Sequence, residues 1–549
     1  MRSEAAGEAA SEAGTAVART TSISSSASAS AEESSVARWL LVLLAAGAVT
    51  VLAVWMISPR FEIDVPSVVD DWAAYFTSPD LLAEILRLEN PETERFRPGV
   101  IVWGYLQWHT LGAPESLVGP NAWNVLRVAI LVAGLTLFTA LALPIRRGRL
   151  ELVLYAGLAS IPAFVVVLVP KFARDLARFG PQEPLLVGGM ALGGSLLFLA
   201  ARSLFDESNS IRVWAVAALG VGGSLAWALG TYQKETSICV LPLLAGVAIA
   251  CRSHFASWRH LGRGRKTALA ALGAVVVLPL LHVTIELLRI VRRGDLVYDA
   301  DAGGQGLIDG VRELWNWTHE AVPGNARLLA YGAAALVVVA SVARRRIDPI
   351  ALGALLSGAL TFVFAGQSGV VATRYYIPAI ALFAVAFALS LARLPTIVVA
   401  AGGLAVFFSF MPPPGTRAEV QSWTNEELAN GTLVSTVTRL ESSGCVVAVA
   451  GLDLETDAAL PVLVGIGRSD ADETCSPEGT VIVAGPGEEG TALASACAPA
   501  ALELLAQAPV GAVYRCARLR AEPVRHPTRG LVAPAQLVAL HRLEPVVLG

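Results

Sequence analysis

Two adjacent carboxylates, Asp70 and Asp71, follow the first long apolar run of the chain, residues 39–58. Because that run is long enough to cross a bilayer, we expect the pair in the first loop, close to the membrane surface. A low-dielectric surface raises the pKa of a carboxyl group toward the working pH, which suits a general base. The Ser-x-x-acid spacing from Ser67 also fits a helix N-terminus, so capping explains the first acid equally well.

Three further charged motifs border apolar runs and supply the candidate ligand-binding residues Arg97, Lys234, Glu235, Arg374 and Tyr375. Each has a structural explanation. Arg97 would extend to water beside an interfacial helix, Lys234 and Glu235 would pair with each other across a turn, and Arg374 with Tyr375 would belong to an aromatic belt. Charges beside hydrocarbon are costly and seldom without a role. The functional alternative is therefore a set of cations that clamps an anionic group.

No cofactor motif is convincing. Asp70, Asp71 and Glu235 could share a divalent cation, and the sequence leaves that possibility open. The seven histidines show no zinc-ligand spacing. Residues 485–490 match G-x-G-x-x-G, but two glutamates occupy the place of a pyrophosphate, which favours a simple turn.

The composition predicts an α-helical polytopic membrane protein. Of 549 residues, 54% are hydrophobic and 16% are charged, whereas soluble domains carry about 25% charged residues. No basic, aromatic-interleaved stretch suggests nucleic-acid binding. We expect about eleven transmembrane helices in the lipid bilayer. They lie near 39–58, 123–145, 150–170, 184–203, 211–230, 237–251, 267–288, 328–343, 349–366, 375–392 and 396–411.

The chain divides into three predicted regions. Residues 1–37 are rich in Ala, Ser and Glu and are expected to form a disordered cytoplasmic tail, residues 38–412 the membrane domain, and residues 413–549 an extracytoplasmic domain. Short basic loops at 146–149, 252–266 and 344–346 predict a cytoplasmic N-terminus in the plasma or inner membrane. The mixed-charge loop 171–183 is expected to lie outside and to be mostly solvated.

The C-terminal region is predicted to be a small α/β domain. An amphipathic stretch over 419–440 precedes β runs at 446–449 and 480–483 and a helical pattern at 492–505. The four cysteines of this region allow two disulfides with three possible pairings in an oxidising compartment. These cysteines are Cys445, Cys475, Cys497 and Cys516.

The order of these motifs along residues 38–395 resembles the GT-C superfamily of membrane glycosyltransferases. The similarity is greatest to the branch of the protein O-mannosyltransferases and the lipid A aminoarabinose transferase. The resemblance implies a polyprenyl-phosphate sugar donor, an extracytoplasmic acceptor, Asp70 as catalytic base with Asp71 second, and Lys234, Glu235 and Arg374 as lipid-phosphate and site-organising residues. The chain departs from the family at Ile161, where many relatives have histidine before the proline, and it lacks the lumenal β-trefoil domain of the mannosyltransferases.

Three other functions are compatible with parts of this pattern. An ion-coupled transporter would use Asp70 and Lys234 for coupling, although no internal repeat is present and the charges gather near one membrane face. A non-catalytic scaffold would bind a partner through its outer domain. A polymerase or ligase of lipid-linked glycans would use similar chemistry.

Overall fold

The computed structural model describes sixteen segments of the chain. They are residues 36–62, 97–111, 118–144, 149–179, 181–205, 213–252, 257–293, 322–366, 373–411, 413–442, 446–450, 480–484, 502–508, 511–516, 524–526 and 530–532. Asp70 and Asp71 lie outside these segments, as do Cys445, Cys475 and Cys497. Their predicted roles and pairings therefore stay predictions.

Fourteen helices make up most of the described chain. They are α1 (Val36–Phe61), α2 (Pro98–His109), α3 (Val118–Ala142), α4 (Arg149–Leu168), α5 (Pro170–Ala177), α6 (Glu183–Phe205), α7 (Val213–Thr231), α8 (Leu241–Ala250), α9 (Arg263–Arg293), α10 (Gly324–Arg344), α11 (Pro349–Gly366), α12 (Ile377–Leu391), α13 (Thr396–Phe410) and α14 (Pro413–Ser442). Short 3-10 helices at Glu235–Val240 and Thr373–Tyr376 lead into α8 and α12.

The helices form a multi-pass membrane protein. Within the described residues, nine helices are long and apolar enough to cross a bilayer, and two shorter apolar helices, Glu235–Ala250 and Pro349–Ala365, accompany them. Each of the eleven runs predicted from hydropathy coincides largely with one of these helices. The predicted runs 237–251 and 349–366 correspond to these two shorter helices. That both cross the bilayer, which would bring the number of spans to eleven, stays a prediction.

Helix α12 lies at the centre of the bundle and is buried on nearly all sides. It packs against α4, α10 and α11, and more lightly against α3 and α6. At its C-terminal end, Arg393 donates hydrogen bonds of 2.9 and 2.5 Å to the carboxylate of Asp348, which also caps α11. Arg344 donates to the Arg393 carbonyl oxygen. One end of α12 is thus fixed among the basic loops, while its other end carries Arg374 and Tyr375.

The polypeptide beyond the membrane helices continues as α14 and two small sheets. Strands β1 (Val446–Ala450), β2 (Thr480–Ala484), β3 (Leu502–Ala508) and β4 (Gly511–Cys516) form one sheet in the order β1-β2-β4-β3, with β1 parallel to β2 and the other pairs antiparallel. Strands β5 (Val524–His526) and β6 (Gly530–Val532) form a hairpin. The predicted strands near 446 and 480 are confirmed, and the amphipathic stretch over 419–440 lies within α14.

The helical interpretation of 492–505 is wrong for its last four residues, which lie in β3. Residues 502–508 pair with β4 along an antiparallel ladder, and α14 packs against β3. Pairing with a neighbouring strand supplies backbone hydrogen bonds that sequence periodicity does not register, and it overrides local helix propensity.

We expect Gly134→Ala to destabilise the bundle, since a Cβ atom at Gly134 would lie 2.4 Å from the Gly188 carbonyl oxygen where α3 crosses α6. Overpacking of this kind costs about 1–3 kcal/mol. The matched control is Gly157→Ala on the exposed side of α4, where nothing lies within 4 Å and helix propensity favours alanine. Thermal unfolding of the detergent-solubilised protein measures both, and equal midpoints for the two variants would contradict the expectation.

Candidate functional site

Lys234 occupies the break between α7 and the 3-10 helix that leads into α8. Its backbone is extended, with φ of −161° and ψ of 149°, so the chain leaves one helix and turns before it begins the next. The residue is only 8% exposed. A buried ammonium group at the end of a membrane helix requires partners from other parts of the chain.

Glu183 is the carboxylate partner of Lys234. The Lys234 Nζ atom donates a 2.6 Å hydrogen bond to Glu183 Oε1 and also lies 3.4 Å from the centroid of the Tyr375 ring. The expectation that loop 171–183 is solvated is therefore wrong for Glu183, which is 2% exposed. The sequence did contain a signal for it, because Glu183 immediately precedes an apolar run, where a carboxylate sits at the positive end of a helix.

Arg97 forms a forked ion pair with Glu235. Arg97 Nε lies 3.2 and 3.3 Å from the two carboxylate oxygens of Glu235, and Arg97 Nη2 lies 3.2 Å from Oε2. Lys234 and Glu235 thus do not pair with each other across a turn, which corrects the structural explanation offered for them. Each pairs instead with a residue more than fifty positions away.

Close packing of α2 on the end of α7 places Arg97. The Gly99 amide donates a 3.0 Å hydrogen bond to the Tyr232 carbonyl oxygen. A Cβ atom at Gly99 would lie 2.8 Å from the Leu229 carbonyl oxygen, so this approach of two backbones needs glycine. Arg97 precedes the first turn of α2 and is thereby directed at Glu235.

Arg374 lies beside the Lys234–Glu183 pair and directly precedes Tyr375 in the sequence. Its guanidinium carbon lies 5.3 Å from the centroid of the Tyr375 ring, which also contacts the Lys234 ammonium.

Burial lowers the pKa of Lys234 to about 8. The negative charge of Glu183 opposes that shift, and the positive charges of Arg97 and Arg374 add to it. Arg97, Glu183, Lys234, Glu235 and Arg374, here termed the ionic cluster, comprise three cations and two carboxylates.

A buried arginine holds the turn that precedes Glu183. Arg127 is fully buried in α3, and its guanidinium donates to the carbonyl oxygens of residues 176, 178, 179 and 181. Asn124, one helical turn earlier, donates a 3.1 Å hydrogen bond to the Ala177 carbonyl oxygen. These bonds tie the α5–α6 connection to α3, so Glu183 has little freedom to move.

The ends of α1 and α14 meet the same connection. Arg60 is fully buried, with its guanidinium carbon 4.3 Å from the Phe179 ring centroid. Arg417 of α14 donates to the Trp55 carbonyl oxygen at 2.7 Å, and Thr416 donates to the Leu168 carbonyl oxygen at 2.9 Å. The last described residues of α1 therefore lie beside the α5–α6 connection.

An apolar cavity of about 170 Å³ is lined by Thr236 and Ser237, which directly follow Lys234 and Glu235 in the chain. It lies among α3, α6, the 3-10 helix, α8 and α12, and its walls are almost entirely hydrocarbon. Thr236 and Ser237 line it at the end next to Lys234, whereas Ala142, Cys251 and Ile350 line it at the opposite ends of α3, α8 and α11. The arrangement suits an amphiphile with an anionic head and an apolar tail.

Residues that could hold a metal are not gathered in the described part of the chain. No three His, Cys, Asp or Glu side chains lie close enough together there. Of the predicted set, Asp70 and Asp71 lie outside the described residues, and both oxygens of Glu235 accept hydrogen bonds from Arg97.

No protein-family model matches the chain, and no curated protein matches it significantly. Among solved structures it is similar to ArnT from Cupriavidus metallidurans bound to undecaprenyl phosphate, at 13% identity and a TM-score of 0.45, over 86% of this chain and 97% of that one. It is also similar to the oligosaccharyltransferase AglB from Archaeoglobus fulgidus in complex with an inhibitory peptide and a dolichol-phosphate. That similarity has 12% identity and a TM-score of 0.43, over 79% of this chain and 61% of that one.

We expect Glu183→Gln to destabilise the protein by about 3–5 kcal/mol, because it leaves the buried Lys234 ammonium without its carboxylate. Glu183→Gln combined with Lys234→Met removes both charges and is expected to restore much of the loss. Unfolding midpoints in detergent provide the measurement. The control is Glu503→Gln, which removes an exposed partner of Arg515 and should change little. Equal effects of Glu183→Gln and Glu503→Gln would contradict the expected role of burial.

Proposed function

We propose that the protein is a membrane glycosyltransferase that moves a sugar from a polyprenyl-phosphate donor to a hydroxyl group of an extracytoplasmic glycan, lipid or protein acceptor. The observation that carries this proposal is the ionic cluster, two of whose residues, Lys234 and Glu235, directly precede Thr236 and Ser237 in the wall of an apolar cavity. A phosphate joined to a long hydrocarbon chain matches both halves of that site. Neither an inorganic ion nor a neutral lipid would use both.

The proposed donor lies with its phosphate at the ionic cluster and its lipid chain in the cavity. Arg374, Lys234 and Arg97 provide the positive charge, while Glu183 and Glu235 fix the positions of two of these cations. Burial of the lipid chain in the cavity, which extends to the opposite ends of α3 and α8, increases the affinity for the donor and does not depend on the identity of the sugar. The sugar would project from the cluster, away from the cavity.

In the proposed reaction, Asp70 accepts the proton of the acceptor hydroxyl as its oxygen attacks the anomeric carbon. The bond from that carbon to the phosphate oxygen breaks, and the polyprenyl phosphate leaves with the electron pair. Negative charge then grows on the leaving oxygen, where fixed cations in a water-poor site stabilise it most. Lys234 and Arg374 fill this role, and Asp71 is the second candidate base. A divalent cation shared by Asp70, Asp71 and Glu235 would have to compete with Arg97 for the Glu235 oxygens.

The arrangement of charges supports the proposed orientation, with the N-terminus cytoplasmic and the C-terminal region outside the plasma or inner membrane. The ionic cluster lies at the start of α12, whereas the basic segment Arg344 to Arg346 lies beside the end of α12. Short basic loops favour the cytoplasmic side. Helix α14 contacts α5 and carries the β1–β4 sheet, so the sheet would be available to position an acceptor.

We expect membranes containing the wild-type protein to transfer label from radiolabelled polyprenyl-phosphate sugars. The variant that lacks the base, Asp70→Asn or else Asp71→Asn, is expected to lose transfer while still binding the donor. Lys234→Gln is expected to weaken donor binding instead. Label transfer and donor binding are measured at matched protein levels. Wild-type membranes that bind no polyprenyl phosphate and transfer no label would overturn the proposal in favour of a scaffold. Transfer that survives both Asn substitutions would remove the acid pair from the mechanism.

Donor binding is expected to weaken by about tenfold as the pH rises through about 8, the pKa of Lys234. The pKa lies below its usual 10.5, so Lys234 is a cation below pH 8 and neutral above it. A phosphodiester ligand keeps one negative charge over this range, which assigns the change to the protein. The control is Lys234→Arg, whose guanidinium stays charged. An unchanged decline in that variant would contradict the assignment to Lys234.

A further inference from the structure

Four hydroxyl side chains of the described residues line the apolar cavity: Ser195, Thr236, Ser237 and Thr361. Two of them are satisfied within their own helices. Ser195 donates a 2.6 Å hydrogen bond to the Ala191 carbonyl oxygen, and Thr361 donates a 2.8 Å bond to the Ser357 carbonyl oxygen. These contacts are the usual way for a hydroxyl to lie on an apolar helix face.

The other two, Thr236 and Ser237, have buried hydroxyl oxygens with no hydrogen-bond partner among the described residues. Ser237 is 2% exposed. Their local backbone explains the difference, because they stand in the first turn of a 3-10 helix that follows the extended residue Lys234. No preceding turn of α-helix presents a carbonyl oxygen four residues back. A buried, unpartnered hydroxyl is costly and calls for an explanation.

The position of this hydroxyl pair is specific. Thr236 and Ser237 directly follow Lys234 and Glu235 of the ionic cluster, while the next cavity-lining residues along the chain, Val240 and Leu243, are apolar. The pair therefore marks the boundary between the charged and the hydrocarbon parts of the site. An amphiphile with its head at the ionic cluster and its tail in the cavity would have its head-to-tail junction near these two residues.

We propose that Thr236 and Ser237 are specificity-determining residues that donate hydrogen bonds to the oxygen joining the lipid carbon to phosphorus, so that the site distinguishes a phosphate ester from other anionic lipids. This inference rests on the proposed function. The ionic cluster binds the charged head group and the cavity binds the lipid tail, but neither contacts the oxygen that joins the two. Loss of that acceptor oxygen would leave two buried hydroxyls unpaired, which is an effective means of rejection.

The test compares two monoanionic lipids, a polyprenyl methyl phosphate and the phosphonate in which CH₂ replaces the oxygen between the prenyl carbon and phosphorus. Their binding to the full-length protein in detergent is measured by competition. Wild type is expected to bind the phosphate about tenfold more tightly. Thr236→Val combined with Ser237→Ala is expected to bring the ratio close to one, mainly through weaker phosphate binding. Ser237→Thr, which keeps a hydroxyl, should retain part of the preference.

Two matched variants separate this inference from the proposed function. Lys234→Gln is expected to weaken binding of both lipids and to preserve their ratio. Ser195→Ala, which removes a cavity hydroxyl bonded to its own helix, should also preserve the ratio. Equal binding of the two lipids by wild type, or a ratio unchanged in the Val/Ala variant, would overturn the inference alone. Failure of wild type to bind either lipid would overturn the proposed function and the inference with it.

Discussion

The pairing of buried charges from distant parts of the chain determines this site. Lys234 and Glu235 are neighbours, yet one is bound by Glu183 and the other by Arg97. An ammonium or carboxylate at this depth is costly unless a partner and further hydrogen bonds are present. The two pairs therefore oblige α2, α6 and α7 to meet at one point, and Tyr375 brings α12 to the same place.

The surrounding structure holds the segments that carry the cluster through hydrogen bonds to their backbone. Arg127 and Asn124 bind the carbonyl oxygens of the connection before Glu183, and Gly99 lets α2 lie against the end of α7. Such contacts fix positions without neutralising the cluster. The three cations of the cluster thus remain at defined places, which is the electrostatic condition for binding an anionic head group.

Sequence patterns predicted the membrane helices well because hydropathy follows directly from burial in hydrocarbon. They also singled out Arg97, Lys234, Glu235, Arg374 and Tyr375, since charges beside apolar runs are conspicuous. Sequence patterns could not identify which of these charged residues pair with each other. Adjacent Lys234 and Glu235 look self-sufficient in sequence, and Glu183 looks like one acid in a mixed loop, because helix contacts between distant segments have no local signature. Strand β3 was missed for the same reason.

The crossed pairing of two neighbouring residues has a consequence for biogenesis. Because synthesis runs from the N-terminus, Glu183 leaves the ribosome before Lys234, 51 positions later, and Arg97 leaves it before Glu235, 138 positions later. Each early charge must remain near the lipid surface until its partner arrives, and the Tyr375 contact forms only when α12 has been inserted. The site is therefore a late product of assembly. A chain that stops short of α12 would contain most of its charged residues but would not have the cluster in its final form.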